Sequence, residues 1–238
     1  MLSEDKTFTK ENLDSYLKAL GKEFRKQNGT AIPAEIILIG GAAILVNYGF
    51  RDMTTDIDAV IRASSAMQDA INTVGSRFEL PAGWLNSDFM KTALYSAALS
   101  EISEYYRTFS NVLQVRTVSG EYLIAMKLRS GRKYKNDLSD VVGILTEQYD
   151  RGKELGFDDI DKAVQKLYGG WESFPEETIR FLTDLLADHK YLRLFEDIRI
   201  EEIRAKEMLI DFENGYPHTL KESNLDSILE ALRKKADK

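Results

Sequence analysis

The chain contains no cysteine and only two histidines among its 238 residues. Without cysteine there can be no disulfide, no thiolate metal site and no cysteine nucleophile. The histidines, His189 and His218, are far apart in sequence and both lie in a part of the chain that reads as helical. This distribution argues against a histidine zinc site or a catalytic triad.

The chain also lacks a long apolar run. No stretch approaches the roughly 20 apolar residues that a membrane-spanning helix needs, and the start, Met1–Asp5, has no signal-peptide pattern. We therefore expect a cytoplasmic protein without membrane contact. The formal net charge of −7 argues against general, salt-driven binding to nucleic acid. A hydrophobic content of 43% is enough for a substantial core, in one large domain or two small ones.

A pair of glycines at the end of an apolar strand is the first informative feature that is present. A strand is predicted from about Glu35 to Ile39, followed by Gly40 and Gly41 and then a two-turn helix from Ala42 to Tyr48. Glycines leave room for close approach of a ligand to the backbone, and the start of a helix offers N–H groups to a phosphate. The pattern predicts a phosphate-binding turn, although a tight strand-to-helix turn without a ligand is the simpler alternative.

Two aspartates follow on the next predicted strand, from Asp56 to Arg62. Side chains alternate along a strand, so Asp56 and Asp58 are expected on one face. Neighbouring carboxylates on an apolar strand repel each other and are costly to bury. A hard divalent cation between them removes both penalties, so the pair predicts a metal site.

The remaining pattern predicts an α/β (α+β) fold, with a mixed sheet and flanking helices in residues 1–150 and an all-helical domain in 151–238. The stretch from Glu79 to Tyr106 is left without an assigned element. The other predicted elements are a helix from Thr9 to about Gln27, a helix after Ser64 and Ser65, a strand from Asn111 to Val118, and helices from Glu121 to Arg129, Asp137 to Tyr149, Asp158 to Tyr168, Pro175 to Asp188, Tyr191 to Phe212 and Ser223 to Lys235.

These motifs resemble those of the DNA polymerase β-like nucleotidyltransferase superfamily, and in particular the bacterial abortive-infection and toxin–antitoxin nucleotidyltransferases. The resemblance covers roughly residues 36 to 145. It lies in Gly40-Gly41-Ala42-Ala43, Tyr48-Gly49-Phe50-Arg51, Thr55-Asp56-Ile57-Asp58, and a later block, Ala125-Met126-Lys127-Leu128, Arg132 and Asp137-Leu138-Ser139-Asp140.

The resemblance implies transfer of a nucleoside monophosphate from an NTP, ATP included, to a hydroxyl of RNA, protein or a small molecule. It implies Mg²⁺ or Mn²⁺ held by Asp56 and Asp58 in a two-metal mechanism. The implied nucleotide-binding residues are Gly40, Gly41, Arg51, Thr55 and Lys127, and Lys127 would also orient the substrate. A membership in a toxin–antitoxin or phage-defence system, with a cognate toxin or antitoxin as partner, would follow.

The chain departs from the family pattern at the second glycine, at the third carboxylate, and in a slightly longer gap before Asp56, with fourteen residues from Ala42 to Thr55. Many members have serine where Gly41 stands, and the serine hydroxyl contacts phosphate. The third carboxylate, which members place on a neighbouring strand, has no counterpart between Leu113 and Arg116. Asp137 is the preferred third carboxylate and Asp140 the alternative.

Several alternatives stay open at this stage. Lys127 could be an ordinary helix residue whose stem packs on apolar surface. Asp137 could be a helix N-cap, and Asp140 a structural residue. The basic stretch from Lys127 to Lys135 could guide NTP or RNA, or be a solvated loop. The departures also favour a second function, in which a catalytically weak nucleotidyltransferase fold acts as a protein-binding partner.

Overall fold

A computed structural model describes residues 7–132, 136–221 and 224–236 of the chain. The chain divides into two compact units. The first takes in the described residues of Met1–Met126 together with Asp158–Trp171, and the second those of Lys127–Phe157 together with Glu172–Lys238. Lys133, Lys135 and Ser223, which the sequence placed in a basic loop and at the start of the last helix, lie outside the described residues. The predicted division at residue 150 stays a prediction.

Helices dominate the described chain. The α-helices are α1 (Lys10–Asn28), α2 (Gly40–Asn47), α3 (Ala66–Phe78), α4 (Leu99–Ile102), α5 (Gly120–Ser130), α6 (Asp137–Asp150), α7 (Phe157–Tyr168), α8 (Glu176–Leu186), α9 (Tyr191–Gly215) and α10 (Leu225–Ala236). The strands are β1 (Ala34–Leu38), β2 (Ile57–Arg62), β3 (Leu85–Asn86), β4 (Glu104–Phe109) and β5 (Leu113–Thr117). Within the described residues, no helix is both long enough and apolar enough to cross a membrane.

The first unit is built on a five-stranded mixed sheet in the order β3-β2-β1-β5-β4. β1 lies at its centre, antiparallel to β2 and parallel to β5. At the edges, β3 is parallel to β2 and β4 is antiparallel to β5. β1 is buried at every residue except the half-buried Glu35, which accounts for its mainly apolar sequence, whereas β2 is buried only at Ile57, Ala59 and Val60. The predicted mixed sheet with flanking helices, followed by a helical C-terminal region, is confirmed.

α1 is specified by a capping box at its start and an apolar stripe along one face. Thr9 and Asn12 make a reciprocal capping box at its start. The predicted apolar stripe is fully buried, and it consists of Leu13, Leu17, Leu20 and Phe24. The helix lies so close to β4 that a Cβ at Gly21 would stand 3.0 Å from the Phe109 Cβ.

The sequence predicted one of the two strands of the hairpin formed by β4 and β5. β4 begins in the stretch that was left unassigned, and the predicted start of the next strand at Asn111 is wrong, because β5 begins at Leu113. Ser110 and Asn111 both have positive φ, and they form the tight turn that joins β4 to β5. Such a turn matches the twist of the strands, but Ser-Asn is a weaker signal for it than Asn-Gly.

The second unit consists of helices. Its apolar side chains come from α6, α8, α9 and α10, including Val141, Ile144, Leu182, Leu209 and Leu229. The strand patterns stop where the sequence indicated, because the described residues after Gly156 are helices, turns and loops. α9 continues to Gly215, beyond the predicted end at Phe212.

Candidate active site

The glycine turn joins β1 directly to α2. The helix begins at Gly40, two residues before the predicted start at Ala42, because Gly40 adopts a left-handed φ of +54° that reverses the chain direction at once. Ile39 holds the N-cap position and makes no side-chain capping bond. The backbone N–H groups of the first turn of α2 therefore have no side-chain acceptor at the cap, as an anion-binding helix start requires.

The far end of α2 is fixed by two polar contacts. The Lys10 Nζ donates a hydrogen bond to the Val46 carbonyl at 3.0 Å, and the Asn47 Nδ2 donates to the Val118 carbonyl at 2.8 Å. Buried apolar residues between Ala42 and Val46 hold the body of the helix against the unit. The glycine turn is thus the rigid start of an anchored helix.

Asp58 lies next to this turn. It is the second residue of β2, and its carbonyl accepts a hydrogen bond from the Ile39 N–H at 3.1 Å. A Cβ placed on Gly40 would stand 4.0 Å from the Asp58 Oδ2. The half-buried carboxylate therefore faces the open backbone of Gly40.

Asp56 precedes the strand. β2 begins at Ile57, so the predicted inclusion of Asp56 in the strand is wrong by one residue. Its side chain is exposed. The Thr54 hydroxyl donates to the Asp56 carbonyl at 3.2 Å and lies 3.4 Å from the Asp56 Oδ1.

Gly41 is crowded by residues of the loop that leads to β2. A Cβ at Gly41 would stand 2.5 Å from the Thr54 Oγ1 and 3.0 Å from the Arg51 Nη2. The structure therefore brings Arg51, one of the predicted nucleotide-binding residues, to the glycine turn. Thr55, another of them, is exposed in the same loop. The sequence analysis missed Thr54, which lies beside Gly41 in the structure. The one signal that could have indicated it is the glycine at position 41, where many family members have serine.

The two aspartates suit a hard cation. Across the described ranges, no three or more acidic or histidine side chains cluster as a ready metal site. Mg²⁺ commonly takes only one or two carboxylates and completes its shell with substrate phosphates and water. Asp56 and Asp58 are the residues that could supply carboxylate oxygens to such an ion, and the glycine turn beside Asp58 has room where a Cβ would otherwise stand. The donor set fits a magnesium ion that arrives with a nucleotide.

The other predicted residues form an ion-pair cluster in the second unit. The Lys127 Nζ lies 2.8 Å from the Asp137 Oδ1 and 2.8 Å from the Asp140 Oδ2. The Arg132 Nε donates to the Asp137 Oδ2 at 2.9 Å, and the Arg132 backbone N–H donates to the same oxygen. The Asp137 side chain is fully buried. Burial alone would raise the pKa of Asp137, but the cations of Lys127 and Arg132 hold it well below its usual range.

Glu202, a residue of α9, caps the first turn of α6 with its side chain. Its Oε1 accepts hydrogen bonds from the N–H groups of Leu138 at 2.9 Å and Ser139 at 3.2 Å, and its Oε2 is buried. Burial, reinforced by the nearby Asp140 carboxylate, raises the pKa of Glu202 to about 7. Asn136, and not Asp137, holds the N-cap position. The capping carboxylate is some 60 residues away in sequence, so no local pattern could have shown it.

A central mixed sheet, with a glycine turn at the start of a helix and Asp58 beside that turn, agrees with the nucleotidyltransferase fold that the sequence predicts. The chain belongs to the family described as nucleotidyltransferase of unknown function (DUF6036), whose family model matches residues 15–166. The predicted nucleotidyltransferase assignment is thereby confirmed. No curated protein and no solved structure matches the chain. The individual site residues, Lys127 and Asp137 among them, stay predictions.

Proposed function

We propose that the chain transfers a nucleoside monophosphate from an NTP, ATP included, to a hydroxyl group of RNA, a protein or a small molecule. The observation that supports this most directly is the position of the Asp58 carboxylate beside the uncapped, left-handed start of α2 at Gly40. A carboxylate for a cation and backbone N–H groups for a phosphate are then available at one place. A triphosphate with its metal ion needs both.

Each residue of the first unit has a role in this proposal. The N–H groups at Gly40 and Gly41 bind phosphate oxygens, and the Arg51 guanidinium adds a positive charge beside them. Asp56 and Asp58 would hold Mg²⁺ or Mn²⁺, which neutralises the triphosphate and favours ionisation of the attacking hydroxyl when it is bound. Because Gly40 has no side chain, nothing at that position would separate the Asp58 carboxylate from bound phosphates.

The reaction is an in-line substitution at the α-phosphorus. The acceptor hydroxyl gives its proton to solvent water as its oxygen bonds to the α-phosphorus. The bond from that phosphorus to the bridging oxygen of the β-phosphate breaks, and pyrophosphate leaves. The full burial of Asp137 and its contacts with two cations favour a structural role for this residue in the second unit. The toxin–antitoxin or phage-defence setting and the cytoplasmic location are proposed from the sequence resemblance and the composition.

The test replaces Asp56 and Asp58 together by asparagine. We expect transfer of label from NTP to acceptors in a cell extract to fall by at least about a hundredfold, because both carboxylate ligands are lost. Asp52→Asn makes the same substitution at an exposed residue of the preceding loop and should leave transfer unchanged. Circular dichroism of each variant checks that the fold is kept.

Three outcomes would contradict the proposal in different ways. Unchanged transfer in the double variant removes the two aspartates from the mechanism. Consumption of NTP without label in any acceptor points to hydrolysis. Failure of calorimetric titration to detect Mg²⁺ with ATP on the unaltered protein favours the alternative, a catalytically weak fold that binds a protein partner.

A further inference from the structure

Thr54 is held in place by the segment that precedes α1. The Phe8 N–H donates to the Thr54 carbonyl at 2.7 Å, and the Thr54 N–H donates to the Phe8 carbonyl at 2.9 Å. Phe8 is itself fully buried, and its ring lies 6.3 Å from that of Trp84 and 6.0 Å from that of Tyr16. The loop before β2 is thereby fixed to the core at this one residue.

The Thr54 hydroxyl occupies the space where a side chain at position 41 would be. With Thr54 only 2% exposed and bonded through its backbone, its Oγ1 cannot retreat from a Cβ placed 2.5 Å away. The Arg51 Nη2, the other close atom, is the end of a long side chain and can move. The requirement for glycine at position 41 therefore comes mainly from Thr54.

The same hydroxyl points toward Asp56. Its single proton has two acceptors on Asp56, the carbonyl oxygen at 3.2 Å and the carboxylate Oδ1 at 3.4 Å, so the hydroxyl links a buried loop residue to an exposed acidic side chain. A hydrogen bond from a rigid neighbour limits the orientations of a carboxylate before a metal ion arrives. Loss of such an outer contact commonly weakens metal binding by about 10- to 100-fold.

We infer that Thr54 is a positioning residue that orients Asp56 for the metal ion, and that glycine at position 41 makes room for it. This inference rests on the proposed function, since it concerns the carboxylate that the proposal assigns to Mg²⁺. Thr54 itself is not a catalytic residue, because it acts through Asp56.

The first test measures the binding of Mn²⁺ with ATP by electron paramagnetic resonance. Thr54→Val keeps the shape of the side chain and removes the hydroxyl, so it should weaken Mn²⁺ binding by about tenfold or more. Thr54→Ser keeps the hydroxyl and should bind within about twofold of the unaltered protein. Thr73→Val is a matched control on α3, where the hydroxyl donates only to the Asp69 carbonyl, and it should change nothing.

The second test exchanges the two positions. Gly41→Ser alone should lower the melting temperature and weaken Mn²⁺ binding, because its Cβ collides with the Thr54 Oγ1. Combining Gly41→Ser with Thr54→Ala removes the collision, so the melting temperature should be largely recovered, while Mn²⁺ binding should stay weakened because the hydroxyl that orients Asp56 is absent. A double variant that melts no higher than Gly41→Ser alone, or that binds Mn²⁺ as well as the unaltered protein, overturns the inference.

The outcomes separate this inference from the proposed function. If the unaltered protein binds Mn²⁺ with ATP and Thr54→Val binds equally well, the inference is overturned while Asp56 and Asp58 keep their role. If the unaltered protein binds no Mn²⁺ with ATP, the proposed metal site fails and the inference fails with it. Should Thr54→Val not fold, Thr54→Ala against Thr54→Ser gives the same comparison.

Discussion

At the scale of single residues, Lys127 belongs to a buried cluster of ion pairs in the second unit. It is nearly buried, and its ammonium group contacts two buried carboxylates, those of Asp137 and Asp140. Removing one partner of a buried ion pair leaves charges without compensation in a medium of low dielectric constant. The cost is then much larger than the strength of the pair itself would suggest.

We therefore expect Lys127→Met to lower the free energy of unfolding by about 3 kcal/mol. Urea unfolding followed by circular dichroism measures the change. Lys91→Met is the control, because Lys91 makes an ion pair with Asp88 at 2.8 Å in which both side chains are exposed. Exposed pairs contribute little, so the control should unfold at nearly the same urea concentration. Equal loss in both variants would show that the cluster around Asp137 is not held by Lys127.

Glu202 predicts a pH dependence of stability. Its pKa in the folded protein is about 7, above the ordinary value of 4.5. Between these two values the unfolded chain releases the proton and the folded protein keeps it, so the folded state binds more protons and stability falls as pH rises. The slope in this window is at most about 1.4 kcal/mol per pH unit.

The measurement compares the unaltered protein with Glu202→Gln in urea unfolding from pH 4.5 to pH 8. The unaltered protein should lose stability relative to the variant as pH rises through this window, and the difference should level off above pH 7. The low pKa of Asp137 acts in both proteins and cancels in the comparison. Parallel profiles for the two proteins would show that Glu202 is ionised throughout the window.

At the scale of elements, the contact between α1 and β4 is close enough to require a particular residue. A Cβ at Gly21 would stand 3.0 Å from the Phe109 Cβ and 3.1 Å from its carbonyl oxygen. Alanine is normally the better helix former by about 1 kcal/mol. Here the helix would have to move away from the hairpin to admit it.

Gly21→Ala should accordingly lower the free energy of unfolding, by about 1–3 kcal/mol. Gly215→Ala, at the end of α9, has no atom within 4 Å of the new Cβ and should be neutral or slightly stabilising. Thermal unfolding of both variants decides the point. A stabilised Gly21→Ala variant would mean that helix propensity outweighs the contact with Phe109.

The elements also show what the sequence could and could not predict. The stripe from Leu13 to Phe24 and the apolar strand after Glu35 were predictable, because each pattern reports burial of its own residues. The hairpin turn at Ser110 and Asn111 was not, since the residues that favour it most are absent. Glu202 at the start of α6 and Thr54 beside Gly41 are contacts between distant segments. No local pattern encodes them.

At the scale of the whole molecule, metal and nucleotide should bind as one unit. In the proposed site, two carboxylates would bind Mg²⁺ alone only weakly, and the triphosphate would supply the missing oxygens. A ligand present at a hundred times its Kd stabilises the folded state by about 2.7 kcal/mol. The melting temperature is therefore a readout of site assembly that does not depend on knowing the acceptor.

We expect MgATP to raise the melting temperature clearly, and Mg²⁺ alone or ATP with a chelator to raise it little. The variant with asparagine at positions 56 and 58 should lose the MgATP effect, and Asp52→Asn should keep it. Differential scanning fluorimetry measures all of these. An equal rise with Mg²⁺ alone would point to a complete metal site made by the protein itself.

The crowding of Gly41 by Thr54 also has an evolutionary meaning. Two positions thirteen residues apart share one small space, so a side chain at position 41 requires a smaller residue at position 54. Among related chains, we expect glycine at the first position to occur with threonine at the second, and serine at the first to occur with a smaller residue at the second. A sequence motif that requires serine after the first glycine would then miss every related chain with glycine at the first position and threonine at the second.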